Sequence, residues 1–283
     1  LALLEVDLEG LVFPAGERGP GLGIAAGLIA TYFGLQIAVG SLFVLVFGAI
    51  ALLGQPAQGP DAMMQSVLHR PAMQALMAML SLGVAAPLTL LLARRKWPWL
   101  WSLARPPGFG FTPPRHATFF ALAVLAGLLA PLLGGLLTDL LAHGRTVTQD
   151  IQQLGGNTPL GLRIPLTLVV VTVGPLVEEL LFRGVLLSAV LRRCRVGWAV
   201  ALTSLLFALI HLPGLQFQWY GLPDLTLLAL LLAWLRLHSG SIWPAVLAHG
   251  VNNLLAVLPW FVAIKLPGCT RSTCLDVEAG QQS

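Results

Sequence analysis

Three short motifs place ionisable and amide side chains inside an otherwise apolar chain. Gly174-Pro175-Leu176-Val177-Glu178-Glu179-Leu180-Leu181-Phe182-Arg183-Gly184 sets two carboxylates and a guanidinium within one hydrophobic run. Phe207-Ala208-Leu209-Ile210-His211 closes a second run, and His249-Gly250-Val251-Asn252-Asn253 lies within a third. Amide hydrolysis needs a base for water, a proton donor for the leaving amine, and donors for the developing oxyanion. Carboxylate, imidazole and side-chain amide are groups of that kind.

Helical geometry separates the roles. Glu179 and Arg183 are one turn apart on one face and are placed to pair. Glu178 points roughly 140° away from Arg183 at about 100° per residue, which leaves it for chemistry. An insertion scale charges roughly 2.5–3.5 kcal/mol for each ionised side chain at mid-membrane, so the three must be paired, neutralised or wetted. A structural lock between helices is the plainer use of such charges, but a lock needs one acid rather than two. Pro175 removes one helical hydrogen bond and is expected to free the Val171 carbonyl. His249 and Asn253 share a face. They are suited to hold an oxyanion with two donors, or simply to bond neighbouring helices.

The elements that position these groups follow from composition. The chain has 283 residues, 57% hydrophobic and 10% charged, against about 25% charged in soluble domains. A soluble fold could not hide so much apolar surface, so a bilayer is the expected solvent. Seven apolar runs are expected as spans, at roughly 21–53, 71–93, 116–137, 159–191, 197–212, 222–237 and 242–264; the fifth and sixth are short for the about 20 residues a crossing needs. The fold class is therefore all-α: a multi-pass transmembrane helical bundle of about seven spans with an intramembrane active-site cavity. The expected organisation is an N-terminal segment (1–20), N-terminal transmembrane helices (21–158), a catalytic membrane core (159–264) and a tail (265–283). At about 1.5 Å per residue, Glu178, His211, His249 and Asn253 fall about 10–21 Å from the inner ends of their spans, compatible with one chamber.

Loop charge sets the orientation. Arg94, Arg95, Lys96, Arg105 and Arg115, then Arg192, Arg193 and Arg195, then Arg236, alternate with nearly neutral loops at 54–70 and 138–158. The positive-inside rule then puts the N-terminus in the cytoplasm and the C-terminus outside, in a plasma membrane of bacterial type. The sequence pI of about 9.4 reflects these loops, so no nucleic-acid partner is expected. Cys269 and Cys274 fall on the outer side, where either a disulfide or two free thiols would be stable, and Cys194 falls inside. The acidic 1–20 stretch lacks the basic region of a cleavable signal. Trp97, Trp99 and Trp101 read as an interfacial belt, and Arg105 through Pro114 as a cytoplasmic linker. His69, His116, His143 and His238 read as interfacial or solvated.

The ordered set Glu178-Glu179-x-x-x-Arg183, Phe207-x-x-x-His211 and His249-x-x-x-Asn253, on separate apolar spans, resembles the CAAX protease and bacteriocin-processing family of intramembrane endopeptidases, also called the Abi family. The resemblance spans roughly residues 160–255. It implies a helical membrane fold with a cavity open toward the cytoplasm. It implies that Glu178 and His211 activate water, that His249 and Asn253 stabilise the oxyanion, that Arg183 orients the acids, that Glu179 supports the site and that Phe207 walls the pocket. It implies a peptide or protein substrate; the eukaryotic members trim prenylated CAAX proteins, so a lipidated substrate is one form.

Three rival readings share these residues. A Zn2+ centre would use His211, His249 and Glu178 with an open position for water, although no His-Glu-x-x-His helix is present. A non-enzymatic bacteriocin-immunity or binding protein would not require the whole set of acids, histidines and amide. A transporter would show an internal repeat, and none is apparent. A serine mechanism lacks its Gly-x-Ser-x-Gly elbow, and Cys194 lies in a basic loop. The cofactor is therefore either none or zinc. The topology is checked by reporter fusions after residues 100, 150 and 195, expected to read inside, outside and inside; an outside signal at the first site overturns the orientation.

Overall fold

The computed structural model describes residues 19–54, 69–101, 108–143, 154–156 and 158–262, and every regular element among them is helical. Seven helical runs carry the chain: α1 (Leu22–Gly54), α2 (Pro71–Lys96), α3 (Thr118–Ala142), α4 (Leu160–Leu191), α5 (Val196–Ile210), α6 (Leu222–Ser239) and α7 (Trp243–Val257). All but α5 belong to runs long and apolar enough to cross a membrane. The sixth run is longer than expected, because the 3-10 turn Trp219–Gly221 leads directly into α6. The protein is a membrane protein with an all-α, multi-pass bundle.

Cross-contacts fix how the runs alternate. Phe119 at the start of α3 meets Trp234 near the end of α6, with ring centroids 6.2 Å apart. Gly134, late in α3, faces Asp224 at the start of α6. The Arg115 amide donates to the Ser239 carbonyl (2.9 Å), and the Ile242 amide to the Gly110 carbonyl (2.8 Å). At the opposite end the Thr158 hydroxyl donates to the Pro71 carbonyl (3.3 Å), and Arg163 donates to the Trp260 carbonyl. One end of the bundle thus gathers the start of α1, the ends of α2, α4 and α6 and the starts of α3, α5 and α7. This basic end carries Arg94, Arg95, Lys96, Arg115, Arg192, Arg193 and Arg195. The far end gathers the opposite termini. Outward-facing Ile37, Leu45, Leu136 and Leu140 are exposed, as lipid contact requires.

The basic end is a packed layer. Phe109 is fully buried, and its amide donates to the Leu100 carbonyl (2.8 Å). Trp101 and Phe111 pack edge-on against it, at centroid distances of 5.4 and 5.7 Å. The Thr112 hydroxyl donates to the Gly240 carbonyl (3.0 Å). Gly110 has φ +82°, and a Cβ there would collide with the Arg236 guanidinium. Residues 108–115 are therefore not the solvated linker expected from their prolines; their aromatic side chains find a hydrophobic seat. Trp97, Trp99 and Trp101 pack against the same core rather than only lining an interface.

Arg236 is not a loop charge, being fully buried inside α6. His238 is also buried, with Nδ1 within 2.9 Å of the Trp234 carbonyl and its ring stacked on Trp234. Cys194 is a half-buried free thiol at the basic end. The acidic residues of 1–18, Arg105, and the Cys269/Cys274 pair lie outside the described residues, as does most of the 54–70 and 138–158 loops.

Replacing Phe109 with alanine should cost about 3–5 kcal/mol, the range for emptying a large buried aromatic site. Thermal unfolding of the purified variant in detergent measures it, and an unchanged midpoint would mean that the 108–115 layer is not part of the folded core.

Candidate active site

α4 is not a uniform helix. Its backbone runs α over Leu160–Leu168, π over Val169–Val173, α over Gly174–Glu179, π over Leu180–Leu186 and α over Leu187–Leu191. The first π turn has a chemical cause. The Gly174 amide bonds back to the Val169 carbonyl, five residues away. In that register the next amide belongs to Pro175, which has no N–H. The freed carbonyl is then Val170, not Val171 as an α-helical register predicts. The Asn253 amide nitrogen of α7 donates to the Val170 carbonyl at 3.1 Å. The neighbouring Val171 carbonyl sits under Gly250, where a Cβ would lie 2.7 Å away. Gly250 therefore lets α7 approach the distorted segment closely, and its flanking residue His249 and nearby Asn253 come with it.

The second π turn follows the two acids and contains Arg183. Arg183 is buried, with Nη1 2.9 Å from the Glu179 Oε1, Nη2 donating to the Ala229 carbonyl at 3.1 Å, and its guanidinium 4.4 Å above the centroid of Phe207. Glu179 is fully buried, and the same Oε1 accepts from His249 Nδ1 at 2.9 Å. One carboxylate oxygen thus ties α4 to α7. With Nδ1 holding that proton, His249 presents Nε2 to the other acid, 3.9 Å from Glu178 Oε2.

His211 arrives from a different direction. α5 has 15 residues, about 22 Å at about 1.5 Å per residue, short of the roughly 30 Å hydrocarbon core. His211 caps it, with Nδ1 2.7 Å from the Phe207 carbonyl and Nε2 3.7 Å from Glu178 Oε2. Both imidazoles therefore aim Nε2 at the same carboxylate oxygen. Phe207 fills the space between them, 4.7 Å from the His211 ring and 5.8 Å from the His249 ring.

Glu178, His211, His249, Asn253 and Phe207 line a cavity of about 1080 Å3, while Glu179 and Arg183 lie behind it. The structure thus brings together all seven residues singled out in the sequence. It also brings in residues that sequence reasoning passed over. Phe33 and Gln36 of α1 and Asp224 of α6 line the cavity, and Tyr32 is fully buried beside Phe33. Gln36 and Asp224 were legible signals, polar side chains within expected apolar spans.

The donor types His211, His249 and Glu178 suit zinc, and each imidazole has its Nδ1 held by an acceptor, as metal-ligating histidines usually do. The nitrogen–oxygen distances of 3.7 and 3.9 Å are a few tenths of an ångström longer than the about 3.3–3.5 Å between tetrahedral donors at about 2.0–2.2 Å from an ion. Among the described residues no group of three or more His, Cys, Asp or Glu side chains is arranged to hold a metal ion.

Residues 160–255 match the family model described as Type II CAAX prenyl endopeptidase Rce1-like. No curated protein and no solved structure matches the chain.

Arg183→Ala should destabilise the protein by about 3–5 kcal/mol, because it strands a buried carboxylate. Unfolding of the purified variant measures this, and wild-type stability would show that the Glu179–Arg183 pair carries no structural load.

Proposed function

Taking residues 160–255 as the core of a CAAX-type intramembrane endopeptidase, we propose that the protein hydrolyses a peptide bond of a membrane-associated polypeptide with a water activated by Glu178 and His211. The observation that carries this reading is the convergence of two imidazole Nε2 atoms on the Glu178 carboxylate at the wall of a cavity. Glu178 takes a proton from water as the water oxygen bonds to the carbonyl carbon. The C–N bond then breaks, and the leaving nitrogen takes that proton back from Glu178 or through His211, giving a carboxylic acid and an amine. This exchange needs a carboxyl group able to hold and release a proton beside a partner of the same kind.

His249 serves the oxyanion only as an imidazolium, because its Nδ1 proton is committed to Glu179 and a second proton must sit on Nε2. Asn253 keeps a second amide hydrogen beyond the one given to Val170, and that hydrogen is the other oxyanion donor. Phe207 orients both rings and shields the Arg183 guanidinium. The mechanism is metal-free in this reading, with zinc chemistry as the alternative that the metal assay addresses.

The experiment begins with a comparison of membrane peptides from cells carrying the wild type and Glu178→Gln. Products that vanish with the substitution, while the protein still accumulates, identify the substrate; an unchanged peptide pattern favours a binding or immunity role. With a cleaved sequence in hand, Asn253→Ala should lower kcat on the order of 10²–10³-fold, with little change in KM, as for loss of one oxyanion donor. A KM-only defect would make Asn253 a packing group. His249→Ala should behave likewise without altering metal content, whereas stoichiometric metal in the wild type that is lost from this variant would establish the zinc reading.

A further inference from the structure

α1 lies outside the residues that match the family model, yet it reaches the site. Phe33 and Gln36 are one turn apart and both line the cavity, so one face of α1 is a cavity wall. At about 1.5 Å per residue, Gln36 stands about 21 Å from the basic end of α1 and Glu178 about 20 Å from the basic end of α4. The two are level. Gln36 is half-buried, and its carboxamide makes no hydrogen bond among the described residues. A polar side chain of this kind in a membrane helix ordinarily bonds a neighbouring helix; this one faces the cavity instead. A second carboxamide comes from α7. Asn252 is half-buried and lines the same cavity. Its side chain donates from Nδ2 to the Asn253 Oδ1 over a long 3.5 Å, which leaves its carbonyl oxygen and second amide hydrogen uncommitted. α1 packs against α2 and the second π turn of α4, whereas α7 packs against α3, α6 and the first π turn. Glu178 stands in the α-helical segment between those turns. The two carboxamides thus reach the cavity from different walls, with Glu178 on the helix that both walls pack against.

Main-chain N–H and C=O groups brought into a low-dielectric cavity are costly to leave unpaired. A carboxamide carries a donor and an acceptor in one plane, so it can pair with a peptide unit through two hydrogen bonds. The other polar groups of the wall do not match a peptide unit in this way. Asp139 and Asp224 are acceptors only when ionised, and Thr138 brings a single hydroxyl. From the two uncommitted carboxamides flanking Glu178, we propose that Gln36 and Asn252 bind the main chain of the polypeptide substrate on the two sides of the scissile bond. The proposal rests on the endopeptidase reading for what occupies the cavity. A peptide unit inside an α-helix has its N–H and C=O already bonded. The substrate class is therefore an extended segment with free main-chain groups, read by its backbone more than by its side chains. A helical segment has to unwind before it can be cut.

Binding tests this without any turnover. The probe is a fluorescein-labelled octapeptide of alternating valine and alanine, beside a second copy N-methylated at its central residues. Each is titrated by fluorescence polarisation against the full chain carrying Glu178→Gln in nanodiscs, with empty nanodiscs subtracted. Because recognition is by the main chain, the plain octapeptide is expected to bind. Adding Gln36→Leu or Asn252→Leu should weaken it roughly 5–30-fold, as for a lost hydrogen bond that leaves a buried group unpaired. N-methylation should weaken binding by a similar factor and remove most of the effect of the two substitutions. Absence of binding by the plain octapeptide overturns the proposal, as do losses in the two variants that are the same for both peptides. Gln36→Leu should also keep the thermal unfolding midpoint, since Gln36 has no bond to lose in the folded protein; a large drop would make it a structural residue and overturn its assignment. Failure of the hydrolase reading shows separately, as peptide products unchanged between wild type and Glu178→Gln, and leaves the binding measurement as it is.

Discussion

The Glu179 carboxylate is the group on which the rest of the site depends. One buried oxygen accepts both from Arg183 on its own helix and from His249 on α7. In a low-dielectric interior each partner answers the desolvation of the others, and removal of any one leaves a charge or a proton without a home. The link also selects which nitrogen of His249 is presented, since Nδ1 is consumed and Nε2 is left toward Glu178. Two adjacent glutamates thus divide the labour. Glu179 is spent on structure, and Glu178 remains in the cavity wall with two imidazoles facing it.

The backbone of α4 is shaped to allow this. Pro175 and the π register before it liberate the Val170 carbonyl, and the Asn253 side chain answers it. A free carbonyl in a membrane would be costly, so the distortion and the amide are mutually dependent. Gly250 makes the approach sterically feasible. The same contacts that satisfy α4 therefore deliver His249 and Asn253 to the wall of the cavity. α5 contributes by being short: its end stops within the bundle and hands His211 to Glu178.

The asymmetry of the two ends has a similarly local origin. The aromatic residues of 108–111 find a seat between α2, α4 and α6, so among the described residues they form a packed layer at the basic end. At the far end α3 and α6 stay close enough that Gly134 faces Asp224, yet α2, α4 and α7 leave the volume of the cavity between them.

Much of this was legible from residue types alone. Ionisable side chains are so costly in an apolar run that their positions announce themselves, and helical periodicity was enough to pair Glu179 with Arg183 and to separate Glu178 from both. The all-α bundle and the alternation of its runs followed from hydropathy and loop charge. What the chain's own order could not reveal were relations between distant segments: that Arg236 and Phe109 are buried, that His249 is held by the structural glutamate, and that Phe33 and Gln36 of α1 line the same cavity as Glu178. Loop-like composition could not foretell a hydrophobic seat created by three other helices, and an α-helical register could not foretell which carbonyl Pro175 would free. Local chemistry and period are written in neighbouring residues; the walls of the cavity and the partner of each buried polar atom arise only when helices pack, because they depend on which surfaces meet.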